Sequence, residues 1–436
     1  MKQVFTDWVW RVGDKVNRRL YKHDLTADMR GFVSNLGYVG LSSIVSGLLF
    51  AVVQILAVRA LGPAEYGRAA LVFAVANVLP YPMFFGLQAS VIKYLPEKRS
   101  TTERRRTITT FAGGTLFFSA LTLVVAYFVR NQVTEILSLS SAVYTIALFY
   151  CIVTVFKTGM ECVLRGLLKF KLQAALDIVY ATVGAMIFLA LYAAGAGTTY
   201  TDYIGALAGG LLAYAAAVLL THWHYFKPSS WDTVALKQML SYGAFSVLGS
   251  VALFILWGSD RFFLNRYLDV ESVGIYSVYY GASLIVLGRV SSVFIKVFLP
   301  TASSRSDKLE INRRLNRLMF TGFIPLLLLN GLAMYITVLL YGDEYPMKFL
   351  WILLFSVNAI LYTFVNVRGA LVVAQGVRGH TFYSYWAVCM AALAFLLYLI
   401  MIPLLEVTGA IMAVMLVSFV FFVGLSGYAK RLLQPE

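Results

Sequence analysis

Apolar runs of about 20 residues recur along the whole chain, and each is long enough to cross roughly 30 Å of hydrocarbon. Hydrophobic residues make up 60% of the 436 positions and charged residues only 13%, which is more apolar than a water-soluble protein requires. In lipid the backbone must form its hydrogen bonds internally, and strands achieve this only in a closed barrel. The sequence therefore predicts an all-α polytopic membrane protein with about twelve transmembrane helices.

The predicted spans are separated by short connections, none of which is long enough to form an independent soluble domain. Whatever the protein does is therefore expected to happen within the membrane. The bounds of the spans follow the apolar runs along the chain. The spans are expected at 32–60, 66–95, 107–130, 142–164, 172–196, 202–222, 238–258, 274–299, 317–341, 348–372, 381–402 and 409–428.

Basic residues outnumber acidic ones, giving a formal net charge of +15, and most of them fall on one side when the spans are threaded alternately. The positive-inside rule explains this excess better than nucleic-acid binding, which we do not expect. Residues 1–30 carry seven Lys or Arg beside an apolar stripe and lack a signal-peptide pattern, which predicts a cytoplasmic amphipathic arm. We expect a multi-pass protein of the cell membrane with both termini in the cytoplasm.

A weak internal repeat divides the chain into two halves. Arg59 leads to Gly67 after the first span, and Arg266 leads to Gly274 after the seventh at the same spacing, an offset of 207 residues. A polar stretch between the sixth and seventh spans is the natural joint. The repeat predicts an arm at 1–30, a six-helix lobe at 31–225, a cytoplasmic linker at 226–237 and a second six-helix lobe at 238–430.

Ionisable residues inside the spans are informative, because a charge at the bilayer centre costs about 2.5–3.5 kcal/mol unless it meets water or a partner. Arg289 lies deep in the eighth span and shares a helical face with Ser292 and Lys296. That face is expected to line a hydrated cavity. Alternatively, Arg289 pairs with a buried carboxylate or with carbonyl groups, and Lys296 extends to the cytoplasmic surface.

Three further cations are candidates for an anion-binding cavity. Lys157 shares a face with Glu161 in the fourth span, so it either adds to the cavity or neutralises that glutamate. Arg368 and Lys93 lie near the inner ends of their spans, where they either extend to the surface or border an inward-open cavity. Asp260 and Arg261 are interpreted as a local pair at the outer end of the seventh span.

Polar side chains form stripes on two otherwise apolar spans. Asn35, Ser42 and Ser46 are in register on the first span, and Asn77 lies on one face of the second. They are interpreted either as cavity-lining groups or as hydrogen-bonding groups between helices. Pro80, with Pro82, and Pro325 are expected to interrupt the second and ninth spans, respectively.

Motifs for catalysis and metal binding are missing from the sequence. It has no GxxxxGK[ST] phosphate loop, and its four histidines and three cysteines lack metal-ligand spacing. No nucleophile–base or paired-carboxylate arrangement has a reasonable spacing. We therefore predict no catalytic residues, no metal and no cofactor, and expect a protein that is not an enzyme.

Several short motifs resemble one known family. At Leu61-Gly-Pro-Ala-Glu-Tyr-Gly67 the chain resembles the polysaccharide transporter family, the oligosaccharide-flippase branch of the multidrug/oligosaccharidyl-lipid/polysaccharide exporter superfamily. Further resemblance lies in Asp260-Arg-Phe-Phe-Leu264, Tyr341-Gly-Asp-Glu-Tyr345 and Ile402-Pro403. It implies a MATE-like, pseudo-two-fold pair of six-helix bundles around a central cavity that opens alternately to each side.

The resemblance also implies the cargo and the function. The expected activity is that of a flippase for polyprenyl-(pyro)phosphate-linked glycans, acting as a monomer among membrane lipids and associated with glycan-assembly machinery. Arg289 and its cationic neighbours are expected to bind the phosphate. The alternatives are a cation-coupled small-molecule exporter of the same fold, a membrane glycan polymerase or ligase, and a non-transporting scaffold.

Overall fold

A computed structural model describes residues 27–433 of the chain, apart from 99, 305–307 and 374. All regular structure in this described part is helical, which confirms the predicted fold class. A short 3₁₀ helix, Leu95–Glu97, accompanies the α-helices. The α-helices are α1 Ala27–Val78, α2 Pro80–Phe84, α3 Leu87–Tyr94, α4 Thr101–Phe128, α5 Arg130–Ile136, α6 Ser141–Gly166, α7 Phe170–Ala193, α8 Tyr200–Phe226, α9 Thr233–Gly258, α10 Asp260–Tyr267, α11 Val270–Ser304, α12 Lys308–Tyr341, α13 Phe349–Val373 and α14 Val377–Leu433.

The helices begin where the sequence supplies caps. Ser100 Oγ accepts a hydrogen bond from Glu103 N at 3.1 Å, and the Glu103 carboxylate accepts one from Ser100 N, which forms a capping box at the start of α4. Asp232 Oδ1 accepts from Ala235 N at 2.9 Å and caps α9 in the same way. These caps satisfy backbone N–H groups at helix ends near the predicted membrane surface.

Eight helical stretches of the described chain are long and apolar enough to cross a membrane, and two of these are double. Helix α1 turns back at Gly62 and α14 turns at Glu406, so each holds two spans. With α9 and α11 the helices account for the twelve predicted spans. We number the spans 1 to 12 in chain order. The chain is therefore a multi-pass membrane protein.

Proline affects the two expected positions differently. Span 2 is broken after Val78 and again at Phe85, which has φ 45°, and it continues through α2 and α3. Pro325 lies inside α12, which is helical throughout, so the expected interruption of span 9 does not occur. The absent N–H of one proline removes one helical hydrogen bond, whereas Pro80 and Pro82 remove two within a single turn.

The two halves of the chain meet through glycine at the end of the bundle that carries Gly62, called here the Gly62 end. A side chain on Gly67 would overlap the Val270 carbonyl, and one on Gly274 would overlap the Pro63 carbonyl. Both contacts obey the offset of 207 residues seen in the sequence (67 to 274, 63 to 270). The repeat is thus expressed as a reciprocal backbone contact that closes this end.

At the opposite end, which we call the linker end, residues 227–232 connect α8 to α9 and lie on span 3. Arg106 Nε forms an ion pair with Asp232 Oδ2 at 3.1 Å, and Thr110 Oγ1 accepts from Asp232 N at 3.2 Å. Trp231 packs so closely on Gly113 that any side chain there would overlap the indole. Spans 2 and 7 also touch here, since Ser90 Oγ donates to the Met239 carbonyl at 2.6 Å.

The predicted arm at 1–30 lies outside the described residues except for 27–30, which form the start of α1. The division into lobes at 31–225 and 238–430, joined by 226–237, stays a prediction. The structure supplies the helices on both sides of that joint and the contacts between them.

Candidate functional site

A cavity of about 610 Å³ lies between the two halves of the chain. Its walls come from spans 1, 2 and 6 of the first half and spans 7, 8 and 10 of the second. Aromatic rings dominate the lining, with a few polar groups between them. The aromatic residues are Tyr66, Phe73, Tyr81, Tyr203, Phe254, Trp257, Tyr280 and Tyr362, and the polar ones are Gln54, Asn77, Arg261, Ser277 and Asn366.

Arg261 supplies the only charge among the described residues that line the cavity. Its Nη1 lies 3.1 Å from Asp260 Oδ1, and its Nε donates to Ser277 Oγ at 3.2 Å. The guanidinium also lies 4.7 Å from the ring centre of Tyr280, a cation–π distance. These contacts fix the guanidinium plane while leaving donor capacity towards the cavity, because arginine carries five N–H groups.

Asp260 lies behind Arg261 and is not part of the cavity lining. Its side chain is fully buried, at 0% exposure, and its Oδ2 accepts a hydrogen bond from the Tyr276 hydroxyl at 2.5 Å. A buried carboxylate needs such partners, since an unpaired one is strongly destabilising. The cluster of Asp260, Arg261 and Tyr276 therefore presents its positive side to the cavity and keeps its negative side inside the protein.

The other polar side chains at the cavity differ in whether they have hydrogen-bond partners. Gln54 Nε2 donates to the Tyr66 hydroxyl at 3.2 Å. Trp257 Nε1 is buried and has no hydrogen-bond partner among the described residues. Asn77 is exposed on the cavity wall, so the structure brings this candidate to the site. The Asn77 amide is therefore available to a polar ligand in the cavity, whereas the indole N–H is covered by protein.

The cavity lining repeats with the same offset as the glycine contacts. Four pairs of residues 207 positions apart both line the cavity, but the side chains within a pair differ. The first half supplies the smaller or less polar member in most cases. The pairs are Gln54 with Arg261, Ala70 with Ser277, Phe73 with Tyr280, and Ala74 with Gly281.

Lys157 adopts the alternative in which it neutralises a glutamate. Its Nζ lies 2.5 Å from Glu161 Oε2 and 4.0 Å from Asp177 Oδ1, and Glu161 also pairs with Arg165. The Lys157 side chain is only 13% exposed and lies among spans 4, 5 and 6, where it stacks on Tyr214 at 4.7 Å. It is not among the cavity residues, and its ion pairs are internal to the first half.

Arg368 lies inside the second half, at 1% exposure. Its two terminal nitrogens donate to the side-chain carbonyls of Asn312 and Asn316 on α12, and its Nε has no partner in the described chain. The Phe422 ring lies 5.9 Å away. This arginine is held by neutral amides rather than by a carboxylate, and it is separate from the cavity lining.

The remaining candidates fall into two groups. Ser46 Oγ donates to the Ser42 carbonyl at 2.7 Å within span 1, and both serines are buried. Lys93 is exposed at the linker end, with its ammonium 3.9 Å from the Tyr242 ring centre. The side chains of Asn35, Arg289, Ser292 and Lys296 lie outside the described residues, so their predicted roles stay predictions.

Sequence reasoning recognised the pair Asp260–Arg261 but did not place it at a cavity. The apolar run of span 7 ends at Gly258, and a charged pair directly after it is typical of a membrane surface. In the structure α10 continues the path of α9, so Arg261 faces the space between the halves. The offset of 207 residues, which maps Gln54 within span 1 onto Arg261, is the signal that the sequence offers.

The chain is similar to one known sequence family and to several solved transporter structures. A family model described as polysaccharide biosynthesis protein matches residues 32–306. No curated protein sequence matches the chain. Among solved structures, an inward-facing multidrug resistance MATE family transporter of the MOP superfamily is similar, with 13% identity and a TM-score of 0.60 over 90% of this chain and 94% of that one.

Two other solved structures agree with that likeness. The MATE multidrug transporter DinF-BH, solved as a complex, has 12% identity and a TM-score of 0.59, covering 92% of this chain and 95% of its own. The MATE transporter ClbM in complex with Rb+ has 16% identity and a TM-score of 0.54, covering 93% and 95%. At such identities the likeness shows the fold alone, which is the predicted MATE-like arrangement of a transporter.

Proposed function

Because the chain belongs to the polysaccharide biosynthesis protein family, we propose that it is a flippase for lipid-linked oligosaccharide or polysaccharide precursors. It moves them from the cytoplasmic to the outer leaflet by alternating access. One observation carries the proposal: a cavity between the halves presents Arg261 to the space, among aromatic rings and amides. The family and the fold are those of transporters.

The cavity chemistry suits a phosphorylated glycan. Arginine presents a planar set of donors that matches phosphate oxygens, and Ser277 and Asp260 hold this set in a fixed orientation. The aromatic rings offer flat apolar surfaces to sugar rings, and the exposed Asn77 amide offers hydrogen bonds to hydroxyl groups. Arg289 and Lys296, along span 8, are proposed as additional phosphate contacts.

The closed Gly62 end supports a direction of access. The positive-inside rule predicts that the linker end faces the cytoplasm, because the basic connections lie there, and that both termini lie there too. The reciprocal contact of Gly67 and Gly274 then separates the cavity from the outside. With the cytoplasm negative, outward movement of one uncompensated negative charge is favoured by about 2.3 kcal/mol per 100 mV.

A cation-coupled small-molecule exporter is the second candidate. Two of the similar solved structures are multidrug transporters, and this cavity is rich in aromatic rings. A cavity for cationic drugs is expected to expose a carboxylate, whereas Asp260 is buried behind Arg261. The charge that faces the space therefore favours an anionic cargo.

The test uses purified protein in vesicles that contain a fluorescent pyrophosphate-linked disaccharide on a polyprenyl chain. Transport is measured as the fraction of label that a membrane-impermeant quencher reaches over time. We expect wild type to move the label and Arg261→Ala to lose most of this rate. Arg130→Ala is the matched control, since Arg130 lies 4.6 Å over the Tyr127 ring, much as Arg261 lies 4.7 Å over Tyr280, but outside the cavity.

Two outcomes would overturn the proposal. The first is wild-type protein that leaves the label in its original leaflet, under conditions where it is folded and correctly inserted. The second is an Arg261→Ala variant with the wild-type rate. If labelled cationic dyes were transported in place of the glycan lipid, the exporter would be the better assignment.

A further inference from the structure

A second chamber lies on the other side of span 2. It is a groove of about 510 Å³ between span 2, span 3 and α5, and Phe262 of the second half completes it. Its lining is almost entirely apolar, in contrast to the cavity that contains Arg261. Phe85 and Phe118 stack against each other in it, with ring centres 4.9 Å apart.

The groove and the cavity share one wall. Along span 2, Asn77 and Tyr81 face the cavity, whereas Val78 and Pro82 face the groove. The helix is interrupted along this stretch, because α1 ends at Val78 and α2 starts at Pro80. A single interrupted helix therefore separates a polar chamber from an apolar one.

Span 7 repeats the same separation with two adjacent residues. Arg261 contributes to the cavity and Phe262 to the groove. A molecule with a charged group at Arg261 and a hydrocarbon chain at Phe262 would thus occupy both chambers through neighbouring positions of one helix. The two chambers match the two chemical parts of a lipid-linked glycan.

The length of the groove corresponds to one leaflet. Along span 3 it runs from Phe118 to Val129, the residue that caps α4, which at 1.5 Å per residue is about 16 Å, or roughly half of a 30 Å hydrocarbon core. It lies in the half of the membrane at the Gly62 end, since Val129, Val133 and Leu137 form its far part. The charge distribution predicts this to be the outer leaflet.

The groove also distinguishes the two halves. Span 8, the counterpart of span 2, is one uninterrupted helix from Val270 to Ser304. The broken wall therefore belongs to the first half alone, and Phe262 from the second half closes it.

We propose that this groove binds the isoprenoid chain of the cargo in the leaflet that receives it. The inference rests on the proposed flippase function and extends it by assigning a site to the chain. The headgroup crosses through the cavity at Arg261, and the chain follows into the groove beside Phe262. Span 2 forms the boundary between them, and its interruption supplies the room for the attachment point to pass.

Two neighbouring valines on span 3 provide a matched test. Val125 lines the groove and Val124 does not, yet each side chain is 52% exposed. We expect Val125→Trp to slow transport of a polyprenyl-linked disaccharide about 5-fold or more, because the indole fills the groove. The same variant should transport a two-isoprene analogue at the wild-type rate, and Val124→Trp should transport both normally.

A binding measurement makes the test independent of transport. A benzophenone amino acid at 125 or 124 is photolysed in vesicles of phosphatidylethanolamine and phosphatidylglycerol that contain polyprenyl phosphate. We expect polyprenyl phosphate to be captured at 125 well above its share of the lipid, and at 124 only in proportion to it. Capture in proportion to abundance at both positions would make the groove an ordinary lipid surface and overturn the proposal.

The outcomes also separate this proposal from the function on which it rests. Equal slowing of the long-chain and short-chain cargo by Val125→Trp would overturn the chain site while leaving the flippase intact. Wild-type protein without transport would overturn the flippase, and selective capture at 125 would then still support a site for isoprenoid chains.

Discussion

The two walls of the central cavity share a scaffold but differ in chemistry. Gly67 and Gly274 make the same backbone contact from opposite sides, as the offset of 207 residues requires. Gln54 and Arg261 are also equivalent in sequence, yet one is neutral and the other carries the charge at the cavity. The repeat therefore positions the two walls, while the residues that differ between the halves determine which wall carries the charge.

The two halves also differ in the residue that precedes each of these two wall positions. Arg261 is held by the buried Asp260, whereas the residue before Gln54 is the apolar Val53. A charge on the first wall would therefore lack its carboxylate partner and pay a larger desolvation cost. Among the described residues that line the cavity, the cation comes from the second half, and its carboxylate partner stays buried.

The largest effect is expected when the charge is removed or moved across the cavity. Arg261→Gln makes the two walls alike and should lower transport of pyrophosphate-linked cargo about 10- to 100-fold, since charge-assisted hydrogen bonds contribute about 1.5–3 kcal/mol. The double variant Gln54→Arg/Arg261→Gln should recover only a small part, because Val53 offers no partner. Full recovery in the vesicle assay would mean that the position of the charge is unimportant.

The next largest effect is expected at the glycine contact that the two halves make in the same way. Gly67→Ala and Gly274→Ala should each force the Gly62 end apart, because the new methyl group meets a backbone carbonyl. Overpacking of about 1–3 kcal/mol corresponds to a shift of roughly 5- to 100-fold towards the open state. Spin labels at Arg68 and Glu271 would report the distance across this end, and clearly unequal responses would contradict the equivalence of the two glycines.

A smaller effect distinguishes the aromatic pair. Tyr280→Leu removes the ring that lies 4.7 Å from the Arg261 guanidinium, whereas Phe73→Leu removes its counterpart from the uncharged wall. A cation–π contact of about 0.5–2 kcal/mol predicts that Tyr280→Leu weakens cargo binding about 2- to 30-fold more than Phe73→Leu. Binding isotherms with labelled cargo would measure this, and similar losses in both variants would attribute them to packing alone.

The smallest effect concerns the indole N–H at the cavity. Trp257→Phe gives the second half the residue that the first half has at Phe50 and removes a donor that has no partner in the described structure. If cargo binding brings this buried N–H into contact with a hydroxyl group, the variant should weaken binding about 2- to 10-fold, since one neutral hydrogen bond contributes about 0.5–1.5 kcal/mol. Thermal stability should stay near that of wild type, and unchanged binding would show that this donor does not contact the glycan.

The spans could be predicted because a long apolar run in lipid must satisfy its backbone hydrogen bonds within itself, and a helix does this. The repeated motif also singles out Gly67 and Gly274 in the sequence. The contact that they make between the halves is visible only in the structure. The site was less accessible to sequence reasoning. The spacing of Lys157 and Glu161 fits an ion pair and a cavity face equally well, and only the fold adds Asp177 from span 5 and makes the pair internal. Arg261 was overlooked because hydropathy does not reveal a cavity that extends into the membrane.

The attachment of residues 227–232 to span 3 constrains any movement of one half relative to the other. Ser229 N donates to Thr109 Oγ1 at 3.2 Å, and Arg106 holds Asp232, so residues 229–232 travel with the first half. Any relative movement of the halves that keeps these contacts would therefore bend the chain past Asp232. Loss of the Arg106 ion pair would remove one of the contacts that hold this segment on span 3.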